Sequence, residues 1–146
     1  MTNIRLDSPT LVALTIAPAP ADTPEQYDLT FFPMTNDLDH EGKIPGIAAS
    51  LTLTMPDQGW LLGAVAQIYL LADEPAPHDS NNVDEWANDI VSAYHEQVAF
   101  LLWDIATSSL RSTAGLMKFL PVEIPDSPRQ DMNITVVPAG EVEGPQ

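Results

Sequence analysis

Hydrolytic or acid–base chemistry in this chain would have to rest on three histidines, His40, His78 and His95. A nucleophilic triad needs serine, histidine and a carboxylate brought together. His40 and His78 sit in polar connecting stretches, where a solvated side chain is the simpler reading. His95, between Tyr94 and Glu96 in a helical pattern, is better placed, although a hydrogen-bonded residue on a helix surface or interface explains it as well. No cysteine is present, which removes thiolate nucleophiles, cysteine-ligated zinc and disulfides. Asp37-Leu38-Asp39-His40-Glu41-Gly42 sets acids at the first, third and fifth positions before a glycine, as calcium loops do. The twelfth position is Ala48 instead of a bidentate glutamate, and the segment lies between strands, so a polar connection is the simpler account. No glycine-rich phosphate loop occurs. The chemistry-bearing residues therefore point away from an enzyme, with no catalytic residue, no metal and no cofactor expected.

Charge narrows the partners. Twenty-one acids stand against five Lys and Arg, for a net charge of -16. Arg5, Lys43, Arg111, Lys118 and Arg129 are scattered, and binding phosphate needs a cationic surface. Nucleic acid and anionic membrane are thus poor partners. The acids form a solvated surface that keeps an apolar chain soluble, and they would also steer basic clients. No stretch approaches the length of a membrane span, and Met1 to Asp7 lacks the apolar run of a signal peptide. A cytoplasmic location is expected. At 146 residues and 45% hydrophobic, the chain reads as one domain with a real core.

The elements that would position any surface are legible from periodicity. Thr10 to Ala17, bracketed by Pro9 and Pro18, reads as a first strand, and Tyr27 to Phe32 as a second. Ile47, Ala49, Leu51, Leu53 and Met55 alternate with small polar residues in a third, Gly46 to Met55. Pro56-Asp57-Gln58-Gly59 is a turn, so the fourth strand, Trp60 to Ala72, closes an antiparallel hairpin. A helix follows over about Val83 to Ala114, with Asn82 and Glu85 spaced as a capping box. Trp86, Ile90, Tyr94, Val98, Leu101 or Leu102 and Ile105 form its apolar stripe, and Thr107-Ser108-Ser109 marks a point where it would break or kink. The expectation is an α+β fold, a four-stranded antiparallel sheet packed by one long helix. The first eight or so residues and the acidic stretch from about 138 to 146 read as flexible ends.

One mismatch stands out. Trp60 to Ala72 is apolar on both faces, and the helix middle, Val98 to Trp103, is apolar all round. One helix cannot cover all of that surface, so a second copy or an apolar partner is expected to cover the rest.

The order of these elements resembles the SecB-type protein-export chaperones and their small SecB-like relatives. Tyr27-Asp28-Leu29-Thr30-Phe31-Phe32-Pro33 looks like the family's second-strand segment. Leu102 to Gly115 followed by Leu116-Met117-Lys118-Phe119-Leu120-Pro121-Val122 is similar to its helix end and apolar return. The likeness spans about Thr10 to Ile124 and is closer to the small SecB-like proteins than to the export chaperone. The family's helix proline aligns with Asp104 and the arginine after it with Thr107, and the tail lacks the basic residues used toward the export motor. The resemblance implies homodimers or tetramers that hold unfolded polypeptide clients on apolar surface. It points to Phe31, Phe32, Trp60, Met117 and Phe119 for client contact, flexible methionine and ring side chains being suited to that use. Val98, Leu101, Leu102 and Ile105 are the expected oligomer interface. The alternative is an oligomeric interaction protein for a specific folded partner, with no holdase activity; a small-molecule or enzymatic domain ranks last.

Overall fold

A computed structural model describes residues 3–20, 22–34, 46–57, 59–73, 80–115 and 124–138. Its elements are β1 (Ile4–Pro18), β2 (Gln26–Met34), β3 (Gly46–Asp57), β4 (Trp60–Ala72), α1 (Ser80–Gly115) and β5 (Asn133–Val136). The strands form one sheet in the order β1-β4-β3-β2-β5. The first four pair antiparallel, and β5 adds to β2 in parallel. The fold is α+β with one long helix on the sheet, as the periodicity implies, but the sheet is five-stranded and mixed. The extended piece after Asp131 returns along the outer edge of β2, pairing Asp28 with Asn133 through Phe31 with Val136.

The β3–β4 hairpin turns tightly, with Asp57 opposite Trp60 and Gly59 at φ 86°. That backbone region strains any residue carrying a Cβ, which is why glycine closes the turn. β1 runs further than its prolines suggest. Its pairing with β4 slips between Asp7 and Thr10 and again between Leu11 and Ala13, with Ser8 at φ 55°. Pro9 sits in the first slip, where its missing N–H interrupts no ladder bond, so the strand passes through the proline instead of starting after it.

Helix α1 starts at Ser80, which places Asn82 inside its first turn; the capping box read from Asn82 and Glu85 is not the helix start. Its 36 residues span roughly 54 Å at 1.5 Å per residue, and no break occurs near Thr107. The Thr107 and Ser109 hydroxyls donate to the carbonyls of Trp103 and Ile105, each at 2.8 Å. This back-bonding satisfies the hydroxyls within the helix, and Thr107 is itself buried.

The core lies between α1 and one face of the sheet. Leu29 and Phe31 on β2, Ile47, Leu51 and Leu53 on β3, and Leu62, Ile68 and Leu70 on β4 meet Val98, Leu102, Trp103 and Leu110 on the helix. Ala87 and Ala106 on α1, with Ala49 and Ala66 on the sheet, are fully buried as well; these small residues let helix and sheet approach closely. Among the described residues, no helix is long and apolar enough to cross a membrane.

Candidate functional site

Among the described residues, the face of the sheet away from α1 is the surface left uncovered. From Tyr27 to Pro33 on β2, Ile47 to Met55 on β3 and Leu62 to Ala72 on β4 the residues facing the helix are buried, whereas those between them are half-buried or exposed; Gly46 on the open face is buried as well. Cross-strand pairing arranges this second face in rows. Arg5, Leu71, Gly46 and Met34 form one row, and Asp7, Tyr69, Ala48 and Phe32 the next. Then come Thr10, Gln67, Ser50, Thr30 and Thr135, followed by Ala13, Val65, Thr52, Asp28 and Asn133.

On β4, β3 and β2 the first two rows make an apolar end, with Arg5 and Asp7 at its β1 rim. A Cβ on Gly46 would lie 3.0 Å from Leu71 Cδ2 and 3.8 Å from Met34 Cε. Those two side chains thus close over the glycine, beside Phe32 and the 36%-exposed Tyr69. The middle row is hydroxyl and amide. Beyond it, Gly63 leaves a shallow hollow of about 160 Å³ lined mainly by Ala13, Thr15, Thr52, Leu61 and Val65. Across β1, β4 and β3 no charged side chain faces outward between the Thr10 row and the Ala17–Leu61–Pro56 row.

The residues expected to contact clients separate. Phe32 lies on this face. Phe31 points the other way and is 0% exposed in the core, because neighbours on a strand project to opposite sides. Trp60 is half-buried and packs against the core from the helix side. Met117 and Phe119 lie outside the described residues, as do His40, His78, the Asp37–Gly42 segment and the tail from 139. The expected oligomer interface also divides. Val98 and Leu102 are 0% exposed within a single chain, so in this conformation they offer nothing to a second copy; the core consumes them. Leu101 and Ile105 are half-buried at its flank. The helix middle is apolar all round, but a single chain covers only part of it: of Val98 to Trp103, Phe100 alone stands out into solvent, 57% exposed.

His95 is half-buried on the helix, with Nδ1 2.9 Å from the Val91 carbonyl oxygen. Among the described residues, no group of three or more His, Cys, Asp or Glu could hold a metal ion.

A second cluster had no visible signal in the sequence. The Arg129 guanidinium lies 5.0 Å from the Tyr27 ring centre and pairs with Asp131 at 3.2 Å and Glu25 at 3.8 Å. Tyr27 in turn stacks, tilted, on Trp103 at 5.9 Å. Burial first, then the Glu25 charge, pushes the Tyr27 phenol above its ordinary value of 10.0. Below that pH the phenol is neutral folded or unfolded. Above it the unfolded chain ionises first, so stability falls as pH rises through the folded-state value. Urea melts from pH 9 to 11 should show that decline, and Tyr27→Phe should make it shallower.

No family model matches the chain, and no curated protein matches it. Among solved structures, a protein of unknown function from Streptococcus agalactiae is similar over 74% of this chain and 93% of that one, at 13% identity and a TM-score of 0.38.

Proposed function

We propose that the chain is a SecB-like, non-enzymatic chaperone or scaffold that binds non-native polypeptide through apolar surfaces of a cytoplasmic homo-oligomer. The observation that carries this reading is the sheet face opposite α1, which among the described residues is uncovered, apolar at Phe32, Met34, Tyr69 and Leu71, and free of charge along the middle of β1, β4 and β3. Holding unfolded chains calls for apolar contact without fixed polar geometry, and charge elsewhere keeps the complex in solution. Phe32, Met34, Tyr69 and Leu71 supply that contact at one end of the face, with Met117 and Phe119 as further contributors. Copies would pair through the outer edge of β1, whose only neighbour among the described residues is β4, and through the Leu101–Ile105 flank of α1.

A second reading, an oligomeric scaffold for one folded partner, draws support from the middle of the face. Thr10, Gln67, Ser50 and Thr30 present hydroxyls and an amide at fixed positions, which suits a partner of fixed shape better than a varied set of unfolded chains.

Light scattering on a sizing column tests the choice, with the protein run alone and with a polypeptide kept unfolded by reduction and alkylation. An oligomer that co-elutes with the unfolded chain, and not with the same chain folded, is the expected result. An oligomer that ignores both removes the holdase reading and leaves the scaffold.

A further inference from the structure

The last described segment is fastened to the domain in two different ways. At its root, the Trp103 indole Nε1 donates to the Pro125 carbonyl at 2.9 Å from a buried ring. Arg111 donates to the Ile124 and Pro125 carbonyls at 2.8 and 3.2 Å. Beyond that root the attachments change character. Arg129 holds Tyr27, Asp131 and Glu25 with a side chain 38% exposed, and Asn133 Nδ2 reaches the Asp28 carboxylate at 3.0 Å on the surface. β5 itself is four residues, Asn133-Ile134-Thr135-Val136; the first three are exposed, and Ile134 is 46% so. Val137 N donates to the Phe31 carbonyl at 2.9 Å. A root hydrogen-bonded to the buried Trp103 and to Arg111 thus carries a short strand that is held by backbone bonds and exposed ion pairs. Exposed pairs of this kind contribute little to stability.

The edge beneath this strand is different. β2 backs directly onto the core through Leu29 and Phe31, both 0% exposed. Its nine residues give β5 only four pairing positions, Asp28 to Phe31. With β5 gone, β2 becomes a rigid edge with unsatisfied backbone donors and acceptors, a template for any extended chain.

We propose that the outer edge of β2 is a strand-acceptor site and that β5 is its resident occupant, displaced when an extended, uncharged segment of non-native polypeptide pairs with β2 in its place. The inference rests on the client-binding reading above and names where on the molecule the client is held. Main-chain pairing supplies affinity without regard to sequence, as a binder of unfolded chains requires. β5 indicates what fits: β-branched, uncharged residues, with one side chain at the Val136 position packing against the core. The Pro125 root keeps the displaced strand close, so it re-pairs when the client leaves.

The chain has no cysteine of its own, so a single engineered disulfide can lock the strand. Thr30 and Thr135 are Cα partners on the open face. Adjacent strands lie about 4.8 Å apart, within the Cα range of a disulfide. In the full-length Thr30→Cys/Thr135→Cys variant, the reduced protein should bind a reduced and alkylated unfolded polypeptide as the parent does. Oxidation should weaken that binding at least ~10-fold, and dithiothreitol should restore it. Arg129→Ala, which loosens the resident strand and leaves the β2 edge intact, should tighten binding roughly 3-fold. Equal binding by the oxidised and reduced forms, or no tightening in Arg129→Ala, overturns the acceptor site while the chaperone reading stands. No binding by the parent removes both.

Discussion

Leu102→Asp should abolish the fold itself instead of merely separating subunits. Leu102 is 0% exposed and sits between α1 and the sheet beside Val98 and Trp103. The substitution removes a fully buried side chain, worth about 2–5 kcal/mol when cut to alanine. It also adds a carboxylate with no partner and no path to water, at a further cost of several kcal/mol. Together these approach the whole stability of a small domain, about 5–15 kcal/mol. Circular dichroism at 25 °C should show loss of helix and of the tryptophan near-ultraviolet signal. Ile105→Asp provides the contrast, since its half-buried flank position lets the carboxylate reach solvent. It should stay folded, and a lower mass by light scattering would place the seam between copies on that flank. A Leu102→Asp protein with parental spectra and melting would mean that the helix does not sit on the sheet as described.

The second large effect separates two neighbouring rings. Phe31→Ala should cost about 3–5 kcal/mol in urea unfolding, because the ring fills core space between sheet and helix. Phe32→Ala should cost about 1 kcal/mol or less, since its ring lies half-exposed on the open face. Client binding should run the other way: Phe32→Asp keeps the fold and loses at least ~10-fold in affinity for an unfolded polypeptide, because it places a charge on the apolar end of the face. Equal destabilisation by the two alanine variants would contradict the β2 register. Full client binding by Phe32→Asp would move the contact surface elsewhere.

This pair also shows what could be read beforehand. β4 was legible end to end, and so was the hairpin, because the strict alternation of β3, the apolar run after it and the proline-to-glycine turn between them leave few other solutions. The face of Phe32 was legible too, though adjacent aromatics obscured it: Asp28 and Thr30 share its parity, and they mark the solvent side. From sequence alone Val98 and Leu102 suit an interface, because the helix middle is rich in large apolar residues. What decides their burial is the alanines around them, Ala87, Ala99 and Ala106, which bring the helix close to the sheet and carry almost no hydrophobic signal. Asp131 to Val137 reads from sequence as a short extended piece and not as a sheet member, since the four residues of β5 on an edge have no pattern that names a partner. Pro9 misled in the opposite direction, reading as a boundary where the structure uses it inside a bulge.

That bulge bears on how far such a molecule can stick to others. A long, flat, uninterrupted edge would let one sheet extend into the next without limit, the route by which chains of β-rich proteins grow into fibres. At Ser8 and Pro9 the rim of β1 is stepped, and one of its amides is missing. A strand laid along it must break at the same place, so the edge admits a matched neighbour and stops there. A molecule that displays an apolar face and open strand edges to other chains is kept from unlimited growth by a stop of that kind built into its own rim.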